Sequence, residues 1–210
     1  MDGVIVDSEP LHYKVNKEIF SELDIEVSKS EYNSYIGTSN QEMWELITER
    51  HNLEESPKKL TKLQQEKNLE HVINGEVIAV DNVVKLINEI ADSELKLALG
   101  SSSPEKLIYA VISFLNIKDL FQVIESGENV RNGKPAPDLF LKIAKELDIT
   151  PDKILVIEDS HNGVKAAKKA GMNCIAYNNE NSGNQDLSPA DIIIDDFNEL
   201  SVKQLKEFKK

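Results

Sequence analysis

The stretch KILVIEDSHNGVKAAKKAG, residues 153–171, joins a strand, an acidic pair and a helix. Four of the five residues from Lys153 to Ile157 are apolar, as a short strand buried on both faces requires. Glu158 and Asp159 close the run. From Asn162 to Ala170 the spacing turns helical, and Gly171 follows as a C-cap. Strand, acidic turn and helix in this order form the repeating unit of a parallel sheet covered by helices.

The same alternation extends outward from about residue 76. LKLALG (95–100), FQVIES (121–126), NCIAY (173–177) and ADIII (190–194) read as further buried strands. A helix after Asp81 carries Val83, Val84, Ile87 and Ile90 as its stripe. Ser103 and Pro104 read as N-cap and first-turn proline of another, with Leu107, Ile108, Val111, Ile112 and Leu115 on one face. A helix starting at Pro137 turns Leu139, Phe140, Ile143, Ala144 and Leu147 inward. The polar loop 178–190 precedes the last strand, and SVKQLKEFKK reads as a surface helix with a frayed end. Residues 10–73 contain no strand-like run. Leu11, Val15, Ile19 and Leu23 mark one helix, Met43, Trp44 and Ile47 a second, and Leu60, Leu63, Val72 and Ile73 a third opened by Ser56-Pro57. Trp44 and Met43 read as core.

With 24 basic and 37 acidic residues the formal charge is −13, which repels nucleic-acid backbones and anionic lipid. No apolar run approaches the roughly 20 residues that cross a bilayer, and the start lacks a signal peptide's basic region. A cytoplasmic protein without nucleic-acid or membrane partners is expected. Cys174, the only cysteine, lies in an apolar stretch and reads as a small buried hydrophobe.

Ligands of an open parallel sheet collect at the carboxyl ends of its strands. Asp2-Gly3 lies at one such end, leading into the helical insert. At a second, Gly100-Ser101-Ser102-Ser103-Pro104 offers hydroxyls and a helix start suited to phosphate, although Ser103 alone reads better as a helix cap. At a third, prolines flanking Lys134 restrict its backbone; alone it reads as an exposed turn lysine. At the fourth, Glu158 and Asp159 repel unless a cation or donors compensate, and a hard ion such as Mg²⁺ does so through oxygen ligands. The alternative there is a helix N-cap at Asp159 or Ser160. Together the four suit metal-assisted phosphoryl transfer.

Taken in order, MDGVIVDSEPLH, LALGSSSP, GKPAPD and VIEDSHNGVKAAKKAG resemble the motifs of the haloacid dehalogenase superfamily, in the branch of β-phosphoglucomutase and related sugar-phosphate phosphatases. The resemblance covers essentially the whole chain. It implies an α/β fold, a Rossmann-like parallel-sheet core (residues 1–9 and 76–210) with an inserted all-helical cap domain (residues 10–75). It implies a Mg²⁺ cofactor and a small phosphorylated metabolite as partner of a monomer. The family's opening motif is Asp-x-Asp-Gly, whose first Asp attacks phosphorus. Asp2 matches the second Asp, so the nucleophile and the first core strand are expected immediately ahead of Met1. A nucleophile-less phosphate-binding protein is the alternative.

By the same resemblance Ser101 matches the phosphate-binding hydroxyl, with Gly3 and Ser102 beside it, and Lys134 the lysine that neutralises phosphate. Glu158, Asp159 and the Asp2 carbonyl match the magnesium ligands. The Asp2 side chain would protonate the leaving oxygen and then activate water, which calls for a raised pKa. His12 and Ser8 match assisting positions at the hinge between core and cap; a bridge between two helices is the other reading of His12. Asn40, in IGTSNQ, stands where β-phosphoglucomutases carry an arginine for the distant phosphate. A neutral amide is no substitute for a guanidinium, so a phosphatase is expected ahead of a mutase.

Overall fold

The computed structural model describes residues 1–208. After the first eight residues come α1 (Glu9–Glu22), α2 (Lys29–Asn33), α3 (Asn40–His51) and α4 (Pro57–Ile73). Ser28, Ser39 and Ser56 start the last three, each hydroxyl accepting from the amide three residues on. The helices bury Val15, Ile19, Trp44, Ile47 and Leu60 in a cluster of their own. Trp44 lies in it fully buried, its Nε1 donating to Gln64 Oε1 at 3.1 Å, so the indole costs no unpaired donor. The expected stripe of α4 ends at Val72. Ile73 is 70% exposed, because the final helical residue has turned off the packed face.

The rest alternates strand and helix: α5 (Val83–Ala91), β1 (Ala98–Ser101), α6 (Glu105–Phe114), β2 (Val123–Ser126), α7 (Asp138–Leu147), β3 (Leu155–Glu158), α8 (His161–Lys169), β4 (Asn173–Tyr177), β5 (Ile192–Ile194) and α9 (Val202–Glu207). Every strand pair is parallel: β1 with β2, and β3 with β4 with β5. The last residues of the expected tail helix, 209–210, lie outside the described residues. Two expectations fail locally. β5 has β4 on only one side, and its Ile192 and Ile193 stay about half exposed rather than buried on both faces. Ser103 does not cap α6, whose N-cap is Pro104 with no side-chain bond. Cys174 is fully buried, which pushes its thiol up to about 12.

The two sheets share no ladder. Each of β1 and β3 therefore has one edge without a strand partner, and both strands line a single cavity of about 480 Å³. Leu97, Leu99, Leu155, Ile157 and Phe140 make its walls largely apolar, and Met1 lies against it.

Candidate active site

Residues 1–6 fold into a tight loop beside the ends of β1 and β3. The Met1 carbonyl accepts from the amides of Val4, Ile5 and Val6 at 3.2, 2.7 and 3.2 Å. Gly3 makes the turn possible at φ 68°, and its missing side chain admits the carboxylate of Asp159. Asn179 fixes the loop from the far side, donating through Nδ2 to the Gly3 carbonyl at 2.9 Å.

The loop sets Asp2 against the serines that end β1. Asp2 Oδ2 accepts from Ser103 Oγ at 2.7 Å and from Ser101 Oγ at 3.3 Å, while Ser101 Oγ accepts from the Ser103 amide at 3.1 Å. Ser102 points to solvent. Burial works to raise the Asp2 carboxyl, but the Met1 ammonium, His12 and the Ser103 hydroxyl outweigh it and hold it below 3.8. The first of these opposing charges is a free amino group at Met1, which a residue bonded to Met1 would replace with an uncharged peptide N–H, so the raised value expected of a general acid is not tested by this direction.

Across the cavity mouth, Lys134 Nζ donates to Glu158 Oε1 in a buried ion pair and lies 5.1 Å from the centre of the Phe140 ring. Ser160 Oγ donates to Glu158 Oε2 at 3.1 Å, and Gly163 leaves room for that carboxylate. Against its burial, Lys134 above all, then the Met1 ammonium and Ser160, hold Glu158 low. Asp159 goes the other way. Burial first, then the charge of Glu158, push it up to about 6, although Ser182 Oγ donates to its Oδ2 at 2.6 Å. Ser160 is the residue that caps α8, accepting from the Gly163 amide at 3.0 Å, which leaves Asp159 free of that role.

No group of three or more His, Cys, Asp and Glu among the described residues has the arrangement to hold a metal ion. The donor set still suits magnesium, which keeps several waters and uses one or two carboxylates together with substrate phosphate. Asp159 has the electrostatic mark of such a site, a buried acid destabilised by the acid beside it.

His12 lines a cavity of about 260 Å³ between α1, α4 and α6 that also reaches Asp2 and Ser8. Its Nδ1 lies 3.7 Å from Glu9 on its own helix rather than bridging to another. Burial lowers its pKa, but Glu9 and Asp2 outweigh this and raise it above 6.5. Asn40 is farther out, lining a second cavity of about 30 Å³ that shares His12 with the first. The structure thus gathers Asp2, Gly3, Ser101, Lys134, Glu158 and Asp159, sets His12 at their border and leaves Asn40 outside. Ser103 as a partner of Asp2, Asn179 and Ser182 were not foreseen. The last two sit in a polar loop with no periodicity to single them out.

Residues 1–177 match the family described as haloacid dehalogenase-like hydrolase. The YhcW protein of Bacillus subtilis (strain 168) is 33% identical over 183 residues, 87% of this chain and 82% of that one. The phosphorylated carbohydrates phosphatase of Thermotoga maritima is 27% identical over 172 residues, 82% and 79% of the two chains. Among solved structures, a CbbY variant from Rhodobacter sphaeroides in complex with xylulose-(1,5)bisphosphate superposes with a TM-score of 0.85 at 25% identity, covering 98% of this chain and 96% of that one.

Proposed function

The chain belongs to the haloacid dehalogenase-like hydrolases, and from that premise we propose that it is a cytoplasmic, monomeric, magnesium-dependent phosphatase of small phosphomonoesters, sugar phosphates or nucleotides. Its nucleophile is an aspartate directly ahead of Met1, at the end of an apolar strand lying between β1 and β3. One observation carries this reading. The Met1 carbonyl anchors the loop that sets Asp2 on Ser101 and Ser103, and Met1 lines the cavity that Glu158 also lines, so a residue attached to Met1 enters that cavity beside them. The apolar walls of the cavity between β1 and β3 suit such a strand.

The chemistry then follows from placement. Ser101 donates to one phosphoryl oxygen, and Lys134, held at the site by Glu158, balances the charge of the others. As the upstream aspartate forms its bond to phosphorus and the bond to the leaving oxygen breaks, Asp2 in its acid form gives that oxygen its proton. The carboxylate so formed, placed by Ser103, then takes a proton from the water that opens the aspartyl phosphate. Asp159, Glu158 and the Asp2 carbonyl would hold magnesium, which would supply charge neutralisation on the phosphoryl oxygens. Residues 10–75 act as the cap over this centre.

A chain extended upstream by an apolar strand ending in Asp should release phosphate from sugar phosphates. Asp2→Asn in that chain should lower kcat by about 10²–10⁴. Unchanged turnover in Asp2→Asn, or in a variant with the upstream aspartate replaced by Asn, overturns the assignment.

A further inference from the structure

The loop between β4 and β5 is tied to the centre at three places. Ser182, 9% exposed, donates its hydroxyl to Asp159 Oδ2 at 2.6 Å. Asn179 holds the Gly3 carbonyl, and Asn181 Nδ2 donates to Asp7 Oδ2 at 2.7 Å. Gln185 closes the loop on itself. Its Nε2 donates to the Ser182 carbonyl at 3.0 Å, and its Oε1 accepts from the His161 amide at 3.0 Å. One carboxamide thereby grips the residue that holds the Asp159 carboxylate and, on its other side, the main chain two residues past Asp159.

The same carboxamide reaches the helical insert. Between α2 and α3 the chain turns through Ile36 and Gly37, and a Cβ on Gly37 would stand 2.7 Å from Gln185 Nε2. A Cβ on Gly183 would stand 2.9 Å from Ile36 Cγ2. Insert and loop therefore meet through one glycine on each side, closer than a side chain at either position allows. From Gly37 the contact runs through Gln185 to Ser182 and so to Asp159. Past the first step each link is a hydrogen bond or the covalent frame of one residue.

Resting on the magnesium-dependent phosphatase reading, we propose that Ser182 and Gln185 are positioning residues: they hold Asp159 in the orientation a divalent cation needs, and do so fully only while the turn at Ile36 and Gly37 lies against Gln185. Side chains that ligate metals are oriented by partners one step out, and losing such a partner costs about 10–100-fold in metal affinity. Ser182 acts on the carboxylate directly and Gln185 at one remove, through the Ser182 carbonyl and the His161 amide. Linkage makes the effect reciprocal: if the seated turn strengthens cation binding, the cation holds the turn by the same factor. A loop that only packs between insert and sheet would lower Tm when altered and leave the cation's affinity alone.

The test is calorimetric titration of the 210-residue chain with MgCl₂ at pH 7.5, together with hydrogen exchange at the Gly37 and Thr38 amides. Ser182→Ala should raise the magnesium Kd by about 10–100-fold, and Ser182→Thr, which keeps the hydroxyl, should restore most of the affinity. Gln185→Leu should raise Kd by about tenfold. The double variant should bind no more weakly than Ser182→Ala, because both changes break one path. Saturating magnesium should slow exchange at Gly37 and Thr38 in the parent, by the factor that Gln185→Leu costs in Kd, and leave it unchanged in Gln185→Leu. Affinity unaltered in Ser182→Ala or in Gln185→Leu overturns the inference. So do additive losses in the double variant, or exchange in the parent that ignores bound magnesium. If Ser182→Ala fails to fold, the Gln185→Leu titration decides alone. If the parent binds no magnesium, it is the metal-dependent reading that falls. Exchange without metal then decides the linkage, and Gly37 and Thr38 amides no faster in Ser182→Ala and Gln185→Leu than in the parent overturn it.

Discussion

A Cβ on Gly3 would overlap the carboxylate of Asp159, so these two residues occupy one space at the centre of the site. The backbone at Gly3 is also left-handed, at φ 68°. Alanine there costs about 1–2 kcal/mol for the backbone alone, and the displaced carboxylate adds to it. Gly3→Ala should therefore lower Tm by several degrees, at roughly 2–4 °C for each kcal/mol. Thermal unfolding followed by circular dichroism checks this; an unchanged Tm would show that the loop has room to move away from Asp159.

The Lys134–Glu158 pair is buried on both sides, at 11% and 8% side-chain exposure. Removing one partner of such a pair typically costs about 3–5 kcal/mol, because the other charge stays buried alone. Lys134→Met should show that loss in urea titrations at pH 7. Glu158 has a depressed pKa, so the stability it contributes is present above 4.5 and is lost as pH falls through its lower folded value. The penalty of Lys134→Met should accordingly shrink in acid. Adding Glu158→Gln should recover part of it, and a double variant no better than the single one would contradict the pairing.

Most of this architecture was legible because burial leaves a periodic record. Val156 and Ile175 sit in strands too short and apolar to be anything else, and the serine-led starts of α3 and α4 announce themselves locally. Ser101, Glu158 and Asp159 were legible as residues at or just past strand ends, whereas Lys134, expected at such an end, sits in the loop between β2 and α7 and reaches the site through its pairing with Glu158. What could not be read is what long-range contact decides. Ser103 has the local wording of an N-cap, but Asp2, about a hundred residues away in sequence, claims its hydroxyl. Ser182 and Asn179 reach the site from a loop whose composition says only that it is exposed. The approach of His12 to Asp2 was equally hidden, since it depends on how α1 leaves the loop of residues 1–6.

His12 supplies a pH test of the contact between α1 and the centre. Its folded pKa lies above 6.5, raised by Glu9 and Asp2 against burial. The stabilisation it provides is complete below pH 6.5 and is lost as pH rises through the folded value. Tm should therefore fall between pH 6 and pH 8.5, and His12→Gln should flatten that slope. A slope as steep in His12→Gln as in the parent would place the titrating group elsewhere.

Asp159 carries the metal prediction, and its sign differs from that of Glu158. Its carboxyl rises from 3.8 to about 6, so its contribution favours folding below 3.8 and turns into a cost as pH climbs through 6. A rise of that size costs about 3 kcal/mol at neutral pH. A divalent cation beside Asp159 relieves it. At about ten times its Kd, magnesium should add about 1.4 kcal/mol of stability. Tm at pH 7.5 should rise with MgCl₂ and return with EDTA. The response should weaken at pH 5, where protons already occupy the carboxylate. Asp159→Asn should be the more stable protein at pH 8 without metal and should gain nothing from magnesium. Equal gains in the parent and Asp159→Asn would remove Asp159 from the metal site, because the ion would then be binding without the group it is meant to relieve.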